Sequence, residues 1–384
     1  MSAAQWRRAM NTRGSTALPR APAPMMSAAP ALPTSYAQSP EPVLLRWLRS
    51  YLTLRHLLVI AALLLVPFVA TPFLTFQVAA QSLALGLIAL SLTFLAGYGG
   101  MISLAQMTVA GISGYALAIL CTSSGGAVPS LHWPWWLGIP TALLIGVLCA
   151  TMIGWLSVRT EGIYTIMITL AIGVAFYYLV LQNYSLFNGF QGLREVYPPQ
   201  VFDVAWRDPL PFYFLCLGCA LAGYCLVRHV VRAPFGIALQ GIRDNPRRMA
   251  ALGFNVVAHR VAAYALAGLL AAVGGVLLVW YNGLITPGSV STSWLINILV
   301  IAVLGGMKRP LGAFLGALVF VLLQTFAIDM LGSGARERFN LIIGGVFLAI
   351  VLFSPDGLLG LWALLRSRFA RNQALTNDQR RRRA

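Results

Sequence analysis

Apolar runs close to twenty residues long follow one another along this chain, separated by short polar turns, a spacing that predicts a bundle of membrane-crossing helices. Ten runs stand at about 57 to 76, 77 to 96, 102 to 121, 139 to 158, 163 to 182, 210 to 230, 260 to 280, 294 to 306, 311 to 330 and 339 to 355. The eighth is too short to cross unaided. Lipid offers no hydrogen bonds to backbone groups, so such segments must satisfy their own, and the fold class is all-α: a polytopic membrane helix bundle of about ten spans.

One stretch breaks the pattern. Between the sixth and seventh runs, Arg228 to Arg260 carries Arg228, Arg232, Arg243, Arg247, Arg248 and Arg260 against one acid, Asp244. Pro234 suits the first turn of a helix, where a missing N–H costs nothing, and Phe235, Leu239 and Ile242 recur at i, i+4 and i+7 as one apolar stripe. Asn245-Pro246 reads as an N-cap and first helical position, and Gly253 as a left-handed C-terminal cap. Two short helices joined by a kink are predicted, lying in the cytoplasm or on its membrane surface. Arg247 and Arg248 stand in the first turn of the second, where the helix dipole disfavours cations. They serve either as anchors to anionic headgroups or as contacts to a partner protein.

Charge fixes the orientation. The 384 residues are 59% hydrophobic and 10% charged, and no Asp, Glu, Lys or Arg occurs from His56 to Val158. Mean hydropathy is +0.77. The net charge of +17 rests almost wholly on Arg, Lys308 being the one lysine, and the basic residues gather in the tails and at span ends. That is the positive-inside distribution rather than a nucleic-acid face, and with ten spans it places both termini in the cytoplasm. Residues 183 to 209 and the tryptophan-rich residues 122 to 138 then fall outside. Residues 1 to 42 read as a disordered tail, 43 to 362 as one transmembrane domain with a cytoplasmic loop at 231 to 259, and 363 to 384 as a basic cytoplasmic tail.

The chemistry that remains is sparse. Cys216 and Cys219 have redox spacing but lie inside a span, and the four histidines form no metal-binding pattern, so neither metal nor cofactor is expected. The acids avoid mid-span positions, Asp329 and Glu161 coming nearest, which leaves little for ion coupling. No GK[ST] phosphate loop exists, so any nucleotide hydrolysis belongs to another subunit. A non-catalytic permease driven by a separate ATPase fits; an ion-coupled secondary transporter is the rival. Gly99-Gly100-Met101 and Gly305-Gly306-Met307 each precede a Gly-rich span, a hint of internal duplication.

Several motifs in order carry a family resemblance: Leu95-Ala-Gly-Tyr-Gly-Gly-Met-Ile-Ser-Leu-Ala-Gln106, Val158-Arg-Thr-Glu-Gly-Ile-Tyr-Thr-Ile-Met-Ile-Thr-Leu170, Pro234-Phe-Gly-Ile-Ala-Leu-Gln-Gly-Ile-Arg-Asp-Asn-Pro246, Ala250-Ala-Leu-Gly-Phe-Asn255, Val303-Leu-Gly-Gly306 and Phe353-Ser-Pro-Asp-Gly-Leu-Leu359. Over roughly residues 57 to 362 the chain resembles the LivM-type permeases of branched-chain amino acid ABC importers. The resemblance implies a bacterial inner-membrane protein whose partners are a LivH-type permease, two cytoplasmic ATPases and a periplasmic substrate-binding protein. It also makes Ala250 to Gly253, with Arg243 and Asn245 before it, look like the loop that couples to an ATPase, and favours a partner-facing role for Arg247 and Arg248. The external loop Asn188-Gly-Phe-Gln-Gly-Leu193 and the long N-terminal tail depart from the family's usual pattern, so urea, amides and aromatic acids stay open as alternative substrates. Polar residues within spans, Ser103, Gln106, Thr108, Tyr164, Thr165, Thr169 and Asn297, are the candidates for lining a path; hydrogen bonding between helices competes as their role.

Overall fold

Pro72 sets the first boundary, because a proline cannot continue a helix from its N-terminal side but starts one readily. The computed structural model describes residues 63–68, 71–121, 131–160, 162–199 and 206–331, with scattered positions between 341 and 360. The tail at 1 to 42, part of the first predicted span and most of the tenth, Glu161, the Asp329 side chain and the tail at 363 to 384 lie outside the described residues. Beyond Pro72 the helix α1, Leu74–Gly99, is continuous. It opens with a π-helical turn, Leu74–Ala80. The expected break near residue 76 is therefore displaced to the proline.

The helices α2 (Gln106–Cys121), α3 (Trp135–Ser157) and α4 (Ile163–Gln182) follow, then a short α5 (Tyr184–Phe187). After them come β1 (Leu193–Arg194), α6 (Pro209–Arg232), α7 (Pro234–Asp244), α8 (Pro246–Ala251), α9 (Val256–Asn282), β2 (Leu284–Ile285), α10 (Thr292–Gly305) and α11 (Pro310–Leu331). Among the described residues five helices, α1, α3, α4, α6 and α9, are long and apolar enough to cross a membrane. The chain is mostly helical. α10 and α11 form a broken pair bent by 117°, which accounts for the shortness of the eighth run. α2 starts four residues later than its apolar run, because Gly100 (φ +68°) ends α1 in the left-handed region and residues 101 to 105 stay non-helical. Gly306 (φ +101°) ends α10 likewise, so each Gly-Gly-Met turn separates two helices.

α9 is the hub. It packs against α1, α2 and α3, while α11 and α10 pack on α1 from another side. Small residues make this closeness attainable where no water drives association. A Cβ on Gly274 would stand 2.6 Å from Ile88 of α1, and one on Gly275 would stand 2.6 Å from the Ala110 backbone of α2. Ser113 of α2 adds a tie, its hydroxyl donating to the Ala272 carbonyl of α9 at 3.0 Å. Other span hydroxyls bond one turn back along their own helix, as Thr93 does to Ala89 O and Ser157 to Ile153 O. Burial grades outward from this hub: the most apolar window of α1 is 89% buried, that of α4 only 22%.

The two ends of the bundle differ. At one end β1 and β2 pair antiparallel, Leu193 opposite Ile285 and Arg194 opposite Leu284, which joins the loop after α4 to the loop after α9. Arg207 lies over the Tyr197 ring at 4.0 Å in the same region. At the other end of α9 stand α7, α8 and the C-terminus of α1. Cys216 and Cys219 stand one turn apart on α6 as free thiols.

Candidate functional site

The basic loop folds as two helices joined at Asn245. α7 sets Leu239 and Ile242 against the bundle, both fully buried, and rests on α6, α1 and α9. Phe235, the third member of the stripe, is half-buried and stacks on His259 of α9 at 5.7 Å. The Asn245 side chain accepts the Arg248 N–H at 3.0 Å, capping α8. Past the other end Gly253 adopts φ +91°, its N–H bonding to Ala250 O and that of Phe254 to Met249 O, a double closure that satisfies the last carbonyls. Asn255 then caps α9 by accepting the Ala258 N–H at 3.0 Å.

Six residues make a helix that is marginal without such caps. Asn245→Ala is expected to remove about 1 kcal/mol of local stability. Hydrogen exchange should then speed at residues 248 to 251 and nowhere in α9. Unchanged exchange there would show that the cap is not what holds α8.

α8 has no fully buried side chain; Met249 is half-buried beside Gly241 of α7. Arg247, Arg248, Ala250 and Gly253 are all exposed, and Leu252 and Phe254 add apolar surface beside them. Among the described residues no acid pairs with Arg247 or Arg248. Arg243 is placed differently. Its guanidinium donates to Gly97 O at the end of α1 at 2.6 Å and to Asp244 Oδ1 at 2.9 Å, and its stem lies along Gly100. It holds α7 to α1 rather than reaching outward. Sequence reasoning also passed over Asn255, although an Asn just before an apolar helix was a readable signal.

Ser103, Gln106, Thr108, Thr165 and Thr169 lie deep in the bundle, Asn297 is half-buried and Tyr164 is exposed. Gln106 Oε1 accepts from Ser91 of α1 at 3.0 Å. Thr169 of α4 accepts the Leu104 N–H at 3.1 Å and donates within its own helix, while Thr165 donates to Thr160 O, in the turn before α4, at 2.9 Å. Ser103 is buried, its oxygen taking the Ala105 N–H at 3.4 Å and standing beside the buried Tyr264 hydroxyl. These bonds pin the non-helical link between α1 and α2. Thr108 is fully buried, and its hydroxyl has no partner among the described residues. Asn297 stands on α10. Tyr164 is 70% exposed on the outer face of α4 and joins none of the others.

Comparison with known proteins adds the family. A family model described as the permease component of the branched-chain amino acid transport system matches residues 74–351. The high-affinity branched-chain amino acid permease LivM of Salmonella typhimurium is 22% identical over 334 residues, covering 80% of this chain and 76% of the relative. The Escherichia coli LivM is 23% identical over the same shares. The autoinducer 2 import permease LsrD of Klebsiella pneumoniae is 27% identical over 284 residues, 70% of this chain and 79% of the relative. No solved structure gives a significant match. The matched stretch runs from α1 past α11 and takes in both helices of the basic loop, so this chain belongs to the family of branched-chain amino acid transport system permease components.

Proposed function

We propose that this chain is one of two permease subunits of an ATP-driven importer of branched-chain amino acids in a bacterial inner membrane. A LivH-type permease would complete the path, two cytoplasmic ATPases would drive it, and a periplasmic binding protein would deliver substrate. The chain itself is not an enzyme; hydrolysis takes place on the ATPases. The observation that carries the reading is α8, capped at both ends, with Met249 turned toward Gly241 of α7 and Arg247, Arg248, Ala250 and Ala251 exposed. A short capped helix that leaves most of its side chains unpacked in its own subunit is suited to be packed by another. Arg243, Asn245, Arg247, Arg248, Ala250 and Gly253 then divide into those that fix the element and those that meet the ATPase. Arg243, Asn245 and Gly253 shape it; Arg247, Arg248 and Ala250 form the face.

Ten spans with both termini cytoplasmic is the topology we assign. The pairing of β1 with β2 supports it, because both loops belong outside in that scheme. So does the bond from Arg243 to Gly97, which joins two segments that the same scheme puts inside. Relatives named for branched-chain amino acids favour that substrate class, and urea, amides and aromatic acids gain no support from them.

Arg247→Glu combined with Arg248→Glu is expected to abolish co-purification of the ATPase while membrane insertion of the permease persists. Unchanged co-purification would return both residues to the role of headgroup anchors. An ion gradient driving import into proteoliposomes that hold this chain alone would replace the whole reading by a secondary transporter.

A further inference from the structure

We infer that the seam between α2 and α4 is the closed form of the substrate path through this subunit, and that Thr108 and Tyr115 are the hydroxyls that meet the substrate when it opens. This rests on the permease function proposed above. Thr108 and Tyr115 stand seven residues apart on α2, hence on one face, two turns of helix from each other. Both are buried to within 1% of complete, and neither hydroxyl has a hydrogen-bond partner among the described residues. Leaving a buried hydroxyl unpaired is costly, yet most other span hydroxyls here bond one turn back along their own helix.

Both orphans face α4. A Cβ on Gly173 would stand 3.0 Å from Thr108 Oγ1 and 2.6 Å from Leu295 of α10. The Tyr115 ring meets Phe176 of α4 edge-on at 6.4 Å and Phe187 at 5.2 Å. Between the two, Gly111 leaves room for Val290 from the loop that follows β2. The seam is thus a closed strip of apolar wall with two unused hydroxyls. α4 is the least buried of the five long helices, so it is the wall with fewest contacts to lose on moving.

The chemistry of the strip sets the ligand class. α2, α4 and α10 carry no Asp, Glu, Lys or Arg at all. A path with neutral hydroxyls and aliphatic or aromatic walls suits a small solute of zero net charge with an apolar side chain, and it disfavours an ion.

The test uses the whole complex in proteoliposomes. Thr108→Val and Tyr115→Phe remove an unpaired group from a packed place, so the subunit should melt no lower than the parent while import falls at least tenfold and ATP hydrolysis continues. A packing role predicts unchanged import, and that result would overturn the inference. A second arm bridges the seam: Thr108→Cys with Gly173→Cys brings two side chains within disulfide reach. Oxidation should stop import and reduction restore it; import undiminished by a formed bridge would equally overturn the inference. Should the parent complex show no ATP-driven import, the permease function falls. The seam is then judged on Thr108→Cys in native membranes: modification by a water-soluble thiol reagent upholds an opening seam, and protection under every condition refutes it.

Discussion

Gly275→Val is expected to remove the folded subunit from the membrane almost entirely. A side chain at this position has no direction in which to go. Its Cβ would stand 2.6 Å from both Cα and the carbonyl carbon of Ala110, and these are backbone atoms of α2 rather than the yielding tip of a side chain. Relief requires α9 to move off α2. Yet Gly274, its neighbour, lies so close to α1 that a Cβ there would stand 2.6 Å from Ile88, so movement away from one helix drives α9 into another. Overpacking a core costs about 1–3 kcal/mol when side chains can shift, and this site should exceed that range. Fluorescence-detected gel filtration of detergent extracts would measure the loss. Gly218→Val is the control, since Gly218 on α6 has nothing within 4 Å of its Cβ position and should tolerate the change. Equal yields from the two variants would show that the contact between α9 and α2 is not decisive for folding.

That hub role is one that apolar patterning does not reveal. Run length locates α3, α4, α6 and α9 to within a few residues, because a membrane-crossing helix is a matter of length and polarity. Which helix is central is a matter of what surrounds it, and α1 and α4 have the same mean hydropathy, 2.0, although one is 89% and the other 22% buried. In water a buried helix and a surface helix differ in composition; in lipid both must be apolar, and only small residues at contacts separate them. Glycine spacing carried that information for Gly268, Gly274 and Gly275 without saying which neighbour each one admits. Proline and glycine chemistry explains the displaced boundaries: Pro72 outranks the apolar run in which it sits, and Gly100 ends α1 between two runs and delays the start of α2.

The basic loop was more legible than the interior. Asn245-Pro246 and Gly253 act on backbone groups within a few residues of themselves, so local rules place α8 without knowledge of the fold. The partner of Arg243 lies 146 residues away in sequence, where no local rule reaches. In the interior, choosing polar side chains within spans gathered Ser103, Gln106, Thr165 and Thr169, whose groups turn out to be engaged in bonds within the bundle. It passed over Tyr115, since a tyrosine in an apolar run counts as hydrophobic until its hydroxyl is seen to lack a partner.

Arg243→Ala should leave the ATPase attached while uncoupling its hydrolysis from import by about a hundredfold, the equivalent of about 2.7 kcal/mol lost between the two events. The last carbonyls of a helix have no partners within it, and the Arg243 guanidinium supplies one to Gly97 O while bringing positive charge to the negative end of the α1 dipole. Asp244 holds the same guanidinium from the side, so its direction is fixed by two acceptors. α7 is therefore tied to the most buried helix of the bundle at the turn where α1 ends. Just beyond that contact the Met307 carbonyl packs against Gly97, so the link between α10 and α11 adjoins the same turn. A push on α8 has a short route through this bond to both helix breaks. Alanine removes the route and leaves Arg247 and Arg248 in place, which separates transmission from docking. Lysine should recover only part of the coupling, since its single ammonium cannot serve Gly97 and Asp244 together in the fork geometry of arginine. The measurement is substrate imported per ATP hydrolysed in proteoliposomes, with the ATPase content of each preparation determined alongside. If Arg243→Ala sheds the ATPase as the double substitution at Arg247 and Arg248 is expected to do, Arg243 is itself a docking residue and its bond to Gly97 is incidental.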